Sequence, residues 1–215
     1  LPWLAVMLVQ LYRLPLGGAL KWVRIGLAGV AGVAFGFALL AVVTFANPLF
    51  AYWPEDPDAQ VLGPVLLNTL FLTYALPGLI FLAARRMVLP AMADKGFLAL
   101  GIALLALYGG LEIRHFWHGA FIGGDTVLQG ELYSYTLALM VLGAALLYQS
   151  IARRSALLRK IGMAVIAVTI AKVFFVDAAG LSGLTRVFSF LGLGLSLAGL
   201  AWLNRWAAMV SGVSK

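Results

Sequence analysis

Six apolar stretches, each 20 to 24 residues long, leave this chain very few folds to choose from. They run over Ile25–Ala46, Val61–Ala84, Phe97–His118, Glu131–Ile151, Leu157–Ala179 and Val187–Trp206. About 20 apolar residues in helical form, each rising 1.5 Å, cross the ~30 Å hydrocarbon core of a bilayer. Only 11% of the residues are charged, against roughly 25% in a soluble domain. The chain has too little charge to cover a water-facing surface, and its mean hydropathy of +1.02 agrees. The expected fold is all-α, a polytopic transmembrane helix bundle with about six full crossings.

Turn signals separate the runs: Asn47-Pro48 and Pro54-Glu55-Asp56-Pro57-Asp58 after the first, Gly123-Gly124-Asp125 after the third, and Gly180-Leu181-Ser182-Gly183 before the last. Leu1–Tyr12 is apolar but only twelve residues long, too short to cross. It reads as a truncated or interfacial N-terminal segment. Residues 1–24 are therefore expected to be the end of an upstream helix plus a cytoplasmic connector. Residues 25–206 should form the six-helix bundle and 207–215 a cytoplasmic tail. The first residue is Leu1 rather than Met, so the stretch is expected to be a piece of a longer chain.

Orientation follows from the positive-inside rule. Arg13, Lys21 and Arg24 precede the first crossing, and Arg85, Arg86 and Lys95 follow the second. Arg153, Arg154, Arg159 and Lys160 follow the fourth, and Arg205 and Lys215 follow the sixth. These twelve of fifteen cations fall on one side, which makes both ends of the stretch cytoplasmic. Glu55, Asp56, Asp58, Asp125, Glu131 and Asp177 lie in or beside the opposite loops.

The net charge of +7 invites a nucleic-acid reading, but the cations form short clusters between apolar runs and no nucleic-acid module is recognisable. No nucleic-acid partner and no cofactor is expected. Cysteine is absent, which excludes disulfides, thiol nucleophiles and cysteine metal sites. Glycines abound, among them Gly29, Gly32 and Gly36 in one run and Gly192, Gly194 and Gly199 in the last. Small residues of this kind let membrane helices approach closely. Pro64 and Pro77 are expected to kink the second helix.

Arg114, Lys172 and Arg186 break the positive-inside pattern, and Glu112 is the one acid well inside an apolar run. In the assigned topology Glu112, Arg114, His115 and His118 lie in the outer third of the third helix. They fall within an arc of about 160° on one face. Lys172 and Asp177 lie toward the outer end of the fifth helix, Arg186 at the start of the sixth, and Glu131, Tyr133 and Tyr135 at the start of the fourth. A charge at the bilayer centre costs roughly 2.5–3.5 kcal/mol, so such residues mark a functional site by default.

The alternative is purely structural. Glu112 would pair with Lys172 or Arg114, and Asp177 with Arg186, while Glu131 complements a helix dipole. Arg114 and Arg186 would snorkel to headgroups. A metal site is not expected. Glu112 and His115 have the Glu-x-x-His spacing of di-iron bundles, but the second copy that such bundles need is missing. A catalytic role would use His115 or His118 as general base, with Glu112 alongside and the three cations stabilising an anion. No nucleophile elbow or P-loop makes that specific, and no enzyme assignment is made.

From Tyr108 onward the chain resembles the C-terminal region of a large bacterial multi-pass membrane protein family catalogued as domain of unknown function 2339. The resemblance rests on Leu111-Glu112-Ile113-Arg114, on Tyr133-Ser134-Tyr135, on Lys172-Val173-Phe174-Phe175-Val176-Asp177, and on Leu181-Ser182-Gly183-Leu184 with Arg186 through Ser189-Phe190-Leu191-Gly192. It covers about the last hundred residues; the first half is similar only in hydropathy. It implies a bacterial inner-membrane protein with more helices upstream, and supplies no activity. The expectation is an outer-leaflet cationic cavity in which Arg114, Lys172 and Arg186 bind an anionic envelope lipid or glycan, by transport or presentation. Glu112 and Asp177 would orient the cations, with Tyr133 and Tyr135 beside them. The alternatives are a membrane-embedded transferase with a histidine base, and a scaffold whose charges are only interhelical ion pairs. Membrane lipids and the upstream helices are the expected partners.

Overall fold

A computed structural model describes residues 1–51, 53, 60–86, 91–177 and 184–210. Side chains at 91, 92, 184–186, 188, 189, 207, 208 and 210 are not among those described. The acidic segment Glu55–Asp58, the Gly180–Gly183 turn, Lys215 and the side chain of Arg186 therefore lie outside the described residues. The described residues are helical with irregular connections, and they gather into two compact units, 1–126 and 127–215.

The first unit opens with a helical hairpin of α1 (Pro2–Arg13) and α2 (Lys21–Thr44). Between them Leu14–Leu16 forms a 3-10 turn, and Gly17 and Gly18 take φ of 62° and 80°, conformations that suit glycine alone. Arg24 closes the turn by donating from one guanidinium nitrogen to the carbonyls of Arg13 and Gly17, both at 3.1 Å. Leu4 of α1 is buried beside Phe35, Tyr74, Phe81, Leu104 and Leu111, so α1 belongs to the core of its unit. A second hairpin pairs α3 (Leu76–Ala84) with α4 (Ala91–His118). Their backbones meet at two glycines: a Cβ on Gly78 would lie 3.1 Å from the carbonyl oxygen of Gly101. Arg85, just past the end of α3, pairs with Asp94 near the start of α4 at 2.8 Å.

The second apolar run departs from expectation. Residues 61–68 are not helical; helix starts at residue 69, passes through a π-helical turn (Phe71–Ala75) and continues as α3. Gly63 (φ 115°) and Leu66 (φ 74°) sit in conformations that a helix cannot use. The segment closes on itself: Thr69 N–H donates to Leu62 O at 3.0 Å, and Leu62 N–H to the Thr69 hydroxyl at 3.3 Å. Pro77 is the reason for the wide turn. Without an N–H it cannot serve the carbonyl one α-turn back, and the ladder shifts so that Leu76 N–H reaches Phe71 O.

The second unit contains α5 (Gln129–Ala152), α6 (Ala156–Lys172), a π-helical turn (Val173–Asp177) and α7 (Leu184–Val210). The α5–α6 pair is tightest where Gly143 faces Ile166 and Gly162 faces Leu147. Among the described residues three helical stretches are long and apolar enough to cross a membrane: Lys21–Phe50, Ala93–His118 and Gln129–Ala152. Phe71–Ala84 is apolar but shorter.

Candidate functional site

Glu112 lies on the last turns of α4, and its buried carboxylate reaches across to the non-helical segment. It accepts the backbone N–H of Leu66 and the side-chain amide of Asn68, the latter at 3.1 and 2.9 Å. Tyr108, one turn earlier on the same face, donates its hydroxyl to Leu66 O at 2.9 Å. Asn68 in turn accepts the N–H of Phe71 at 3.1 Å, capping the helix that follows. Glu112 thus holds a negative charge at a helix N-terminus, where the macrodipole favours it.

Arg114 faces the loop that leaves α4. Its Nε donates to Ile122 O and one terminal nitrogen to Gly124 O, both at 2.6 Å, with Thr126 O at 3.3 Å from the same nitrogen. A guanidinium offers five donors in a fixed fork, and here the fork gathers consecutive turns of one loop. His115, also buried, pairs its Nδ1 with Gly119 O at 2.8 Å. A carbonyl only accepts, so Nδ1–H is the donor in this contact. The loop is tied back to the broken helix by Val61 N–H, which donates to Ala120 O at 2.7 Å. Gly123 packs so closely against the backbone at Ala51 that a Cβ would overlap its carbonyl. His118 is half-buried, and Phe116 and Trp117 stack edge-to-face beside it in sequence.

In the second unit Lys172 and Asp177 form an ion pair of 2.6 Å joining the end of α6 to its π-helical turn. Lys172 Nζ also donates to the Thr136 hydroxyl at 2.7 Å and to Leu132 O at 3.0 Å on α5. Thr136 donates to the other Asp177 oxygen at 2.6 Å. Positions five apart on an α-helix point about 140° from each other. The π turn, with its i→i+5 bonding, is what allows Lys172 and Asp177 to meet. Glu131, only 1% exposed, caps α5 through Leu128 N–H at 3.3 Å and accepts from Tyr135 at 3.1 Å. Tyr133 points outward, more than half exposed.

Glu112, Arg114, His115 and His118 therefore belong to the first unit, and Glu131, Tyr133, Tyr135, Lys172, Asp177 and Arg186 to the second. Among the described residues no three His, Asp or Glu side chains gather as a metal-ligand set. Asn68, Tyr108 and Thr136 are working parts that sequence reading passed over. Tyr108 stands four residues before Glu112 and Thr136 one turn beyond Leu132, a helical spacing that was available as a signal.

Over residues 1–206 the chain matches a family model described as predicted membrane protein (DUF2339). It belongs to that family. The match extends the sequence resemblance, which was confined to the last hundred residues, across the first half of the DUF2339 chain as well. No curated protein and no solved structure matches it. The family description supports a membrane protein with apolar transmembrane helices.

Proposed function

We propose that this DUF2339 chain is a scaffold module of a bacterial inner-membrane protein. In this reading the buried charges are struts that fix irregular backbone and join helices, not groups held ready for chemistry. One observation carries it. The ammonium of Lys172 has three N–H donors and meets three acceptors, Leu132 O, Thr136 Oγ1 and Asp177 Oδ1, so its donors are committed inside the protein. Replacing a buried ion pair by well-packed apolar residues is often neutral or stabilising. The double substitution Lys172→Met with Asp177→Leu is accordingly expected to complement a deletion strain as the unaltered protein does. A folded double variant that fails to complement would end the scaffold reading.

A second reading has its own support in the break at residues 61–68. Non-helical backbone at membrane depth is tolerated where it is buried in protein or lines a cavity, and broken helices border transporter sites. In that reading the broken segment borders a route along which the protein moves or presents an anionic envelope lipid or glycan, with Arg114 of the first unit or Lys172 of the second as its candidate contact. Loss of function in a folded Lys172→Met/Asp177→Leu protein would favour it.

Both readings take six crossings with the cationic turns cytoplasmic, the arrangement that the positive-inside rule supports. Because the chain has no cysteine, single-cysteine labelling has no background. Asp125→Cys is expected to react with a membrane-impermeant maleimide in intact spheroplasts, and Arg153→Cys only after lysis. The opposite pattern would invert the topology.

A further inference from the structure

We propose that one end of the second unit is a docking surface for anionic phospholipid headgroups, built on the turn between α5 and α6. Arg153, Arg154, Arg159 and Lys160 fall within eight residues, and the sequence holds no acid from 132 to 176 or after Asp177. Arg153, Arg154 and Lys160 are exposed. In the other cationic turns charge is partly spent inside the protein. Arg24 donates to the carbonyls of Arg13 and Gly17, and Arg85 is matched by Asp94. At the opposite end of the second unit, among the described residues, Lys172 turns inward to Asp177 and Glu131 is buried. Uncompensated charge is thus concentrated at the α5–α6 turn.

Helix lengths set this charge in the headgroup layer rather than out in water. α5 has 24 residues and is roughly 36 Å long, a little more than the ~30 Å hydrocarbon core, so its last turn emerges among headgroups. Three residues, 153–155, join it to α6, and a turn that short cannot carry its arginines far past the helix ends. Ser155 fixes the turn by capping α6, its hydroxyl accepting Leu158 N–H at 3.3 Å. The end of α7 lies alongside, since Ser150 of α5, Arg159 of α6 and Asn204 of α7 line one small cavity. It brings exposed Trp202, Arg205 and Trp206 to the same level, and tryptophan favours the membrane–water interface. Basic residues clustered just outside a membrane helix attract anionic lipid, about fivefold for each cation. Such a partner needs no pocket: lipid phosphates reach exposed guanidiniums from the leaflet itself. The surface depends neither on the roles of Lys172 and Arg114 nor on which leaflet it faces.

The test reads lipid composition beside the turn. Ala145 is exposed on α5, roughly 10 Å below the helix end, and the chain has no cysteine of its own. The whole chain carrying Ala145→Cys is labelled with bimane and reconstituted in phosphatidylcholine containing a small fraction of chain-brominated phosphatidylglycerol or chain-brominated phosphatidylcholine. Quenching is expected to show a preference for phosphatidylglycerol of about fivefold or more, at least one cation's share. The preference should fall below twofold when Arg153→Gln, Arg154→Gln and Lys160→Gln are added together. It should also fall in about 1 M salt, where the screening length shrinks to about 3 Å. Arg153→Lys with Arg154→Lys keeps the charge and should keep the preference, which separates charge from any damage to the turn. Equal quenching by the two lipids without these changes would overturn the proposal. So would a preference that survives the triple glutamine variant or high salt, or one that the lysine variant loses.

Discussion

Lys172→Met lowers the melting temperature of the protein in detergent by roughly 6–20 °C. The substitution keeps the length and apolar stem of the side chain but leaves the Asp177 carboxylate, the more enclosed half of a largely shielded pair, without its cation. Breaking a buried pair from one side costs about 3–5 kcal/mol, and in a chain of this size each kcal/mol moves the midpoint by about 2–4 °C. Thr136 cannot compensate: its hydroxyl already donates to Asp177 and supplies no charge. Lys172→Arg is expected to be nearly as harmful, since a planar fork cannot reproduce three acceptors placed around one nitrogen. Differential scanning fluorimetry on the two variants reads this directly, and an unchanged midpoint would mean that the pair is not holding α5 to α6.

The second large effect is local. Glu112→Ala removes the acceptor for Leu66 N–H and for the Asn68 amide together. Hydrogen bonds to a charged group contribute about 1.5–3 kcal/mol each, so with two donors released the 61–68 segment should lose about 3–6 kcal/mol of its local protection. Hydrogen exchange in nanodiscs is expected to show amides 61–69 exchanging several hundred-fold faster or more, with α5 and α6 unaffected. Glu112→Gln retains one acceptor oxygen and should recover part of the protection. Exchange in the Ala variant that matches the unaltered protein would detach Glu112 from the broken helix.

These two residues also mark what could and could not be read from sequence. Hydropathy located the helices because a stretch such as Gln129–Ala152 is apolar enough to have one physical destination. It failed at residues 61–68, which are as apolar as a helix but fold as a closed loop. Hydropathy reports which solvent a segment prefers and says nothing of its φ and ψ. Pro64 by itself suggests a kink; the fuller clue is Gly63-Pro64 followed by Asn68. What makes the loop viable is a carboxylate 46 residues away from Leu66, a partner that local pattern does not reveal.

The charged residues were legible as unusual, but their partners were not. Asp177 pairs with Lys172, which stands five residues back and would face another direction on an α-helix; the π turn brings the two together. The expectation pairs Glu112 with cations, whereas it accepts from an amide and a peptide N–H. Glycine counting was similarly incomplete. Gly29, Gly36 and Gly194 face open space, while close approach occurs at Gly78, Gly101, Gly143 and Gly162, because only tertiary packing decides which glycines a neighbouring backbone needs.

The claim on which the account turns is that ionised groups inside the helices are fastened to one another and to backbone. A double-mutant cycle tests it most directly: unfolding free energies for Lys172→Met, Asp177→Leu and both together, in one detergent. The account predicts that each single change is strongly destabilising and that the pair together costs less than either alone. Single changes that are mild, or that simply add in the double variant, would contradict it.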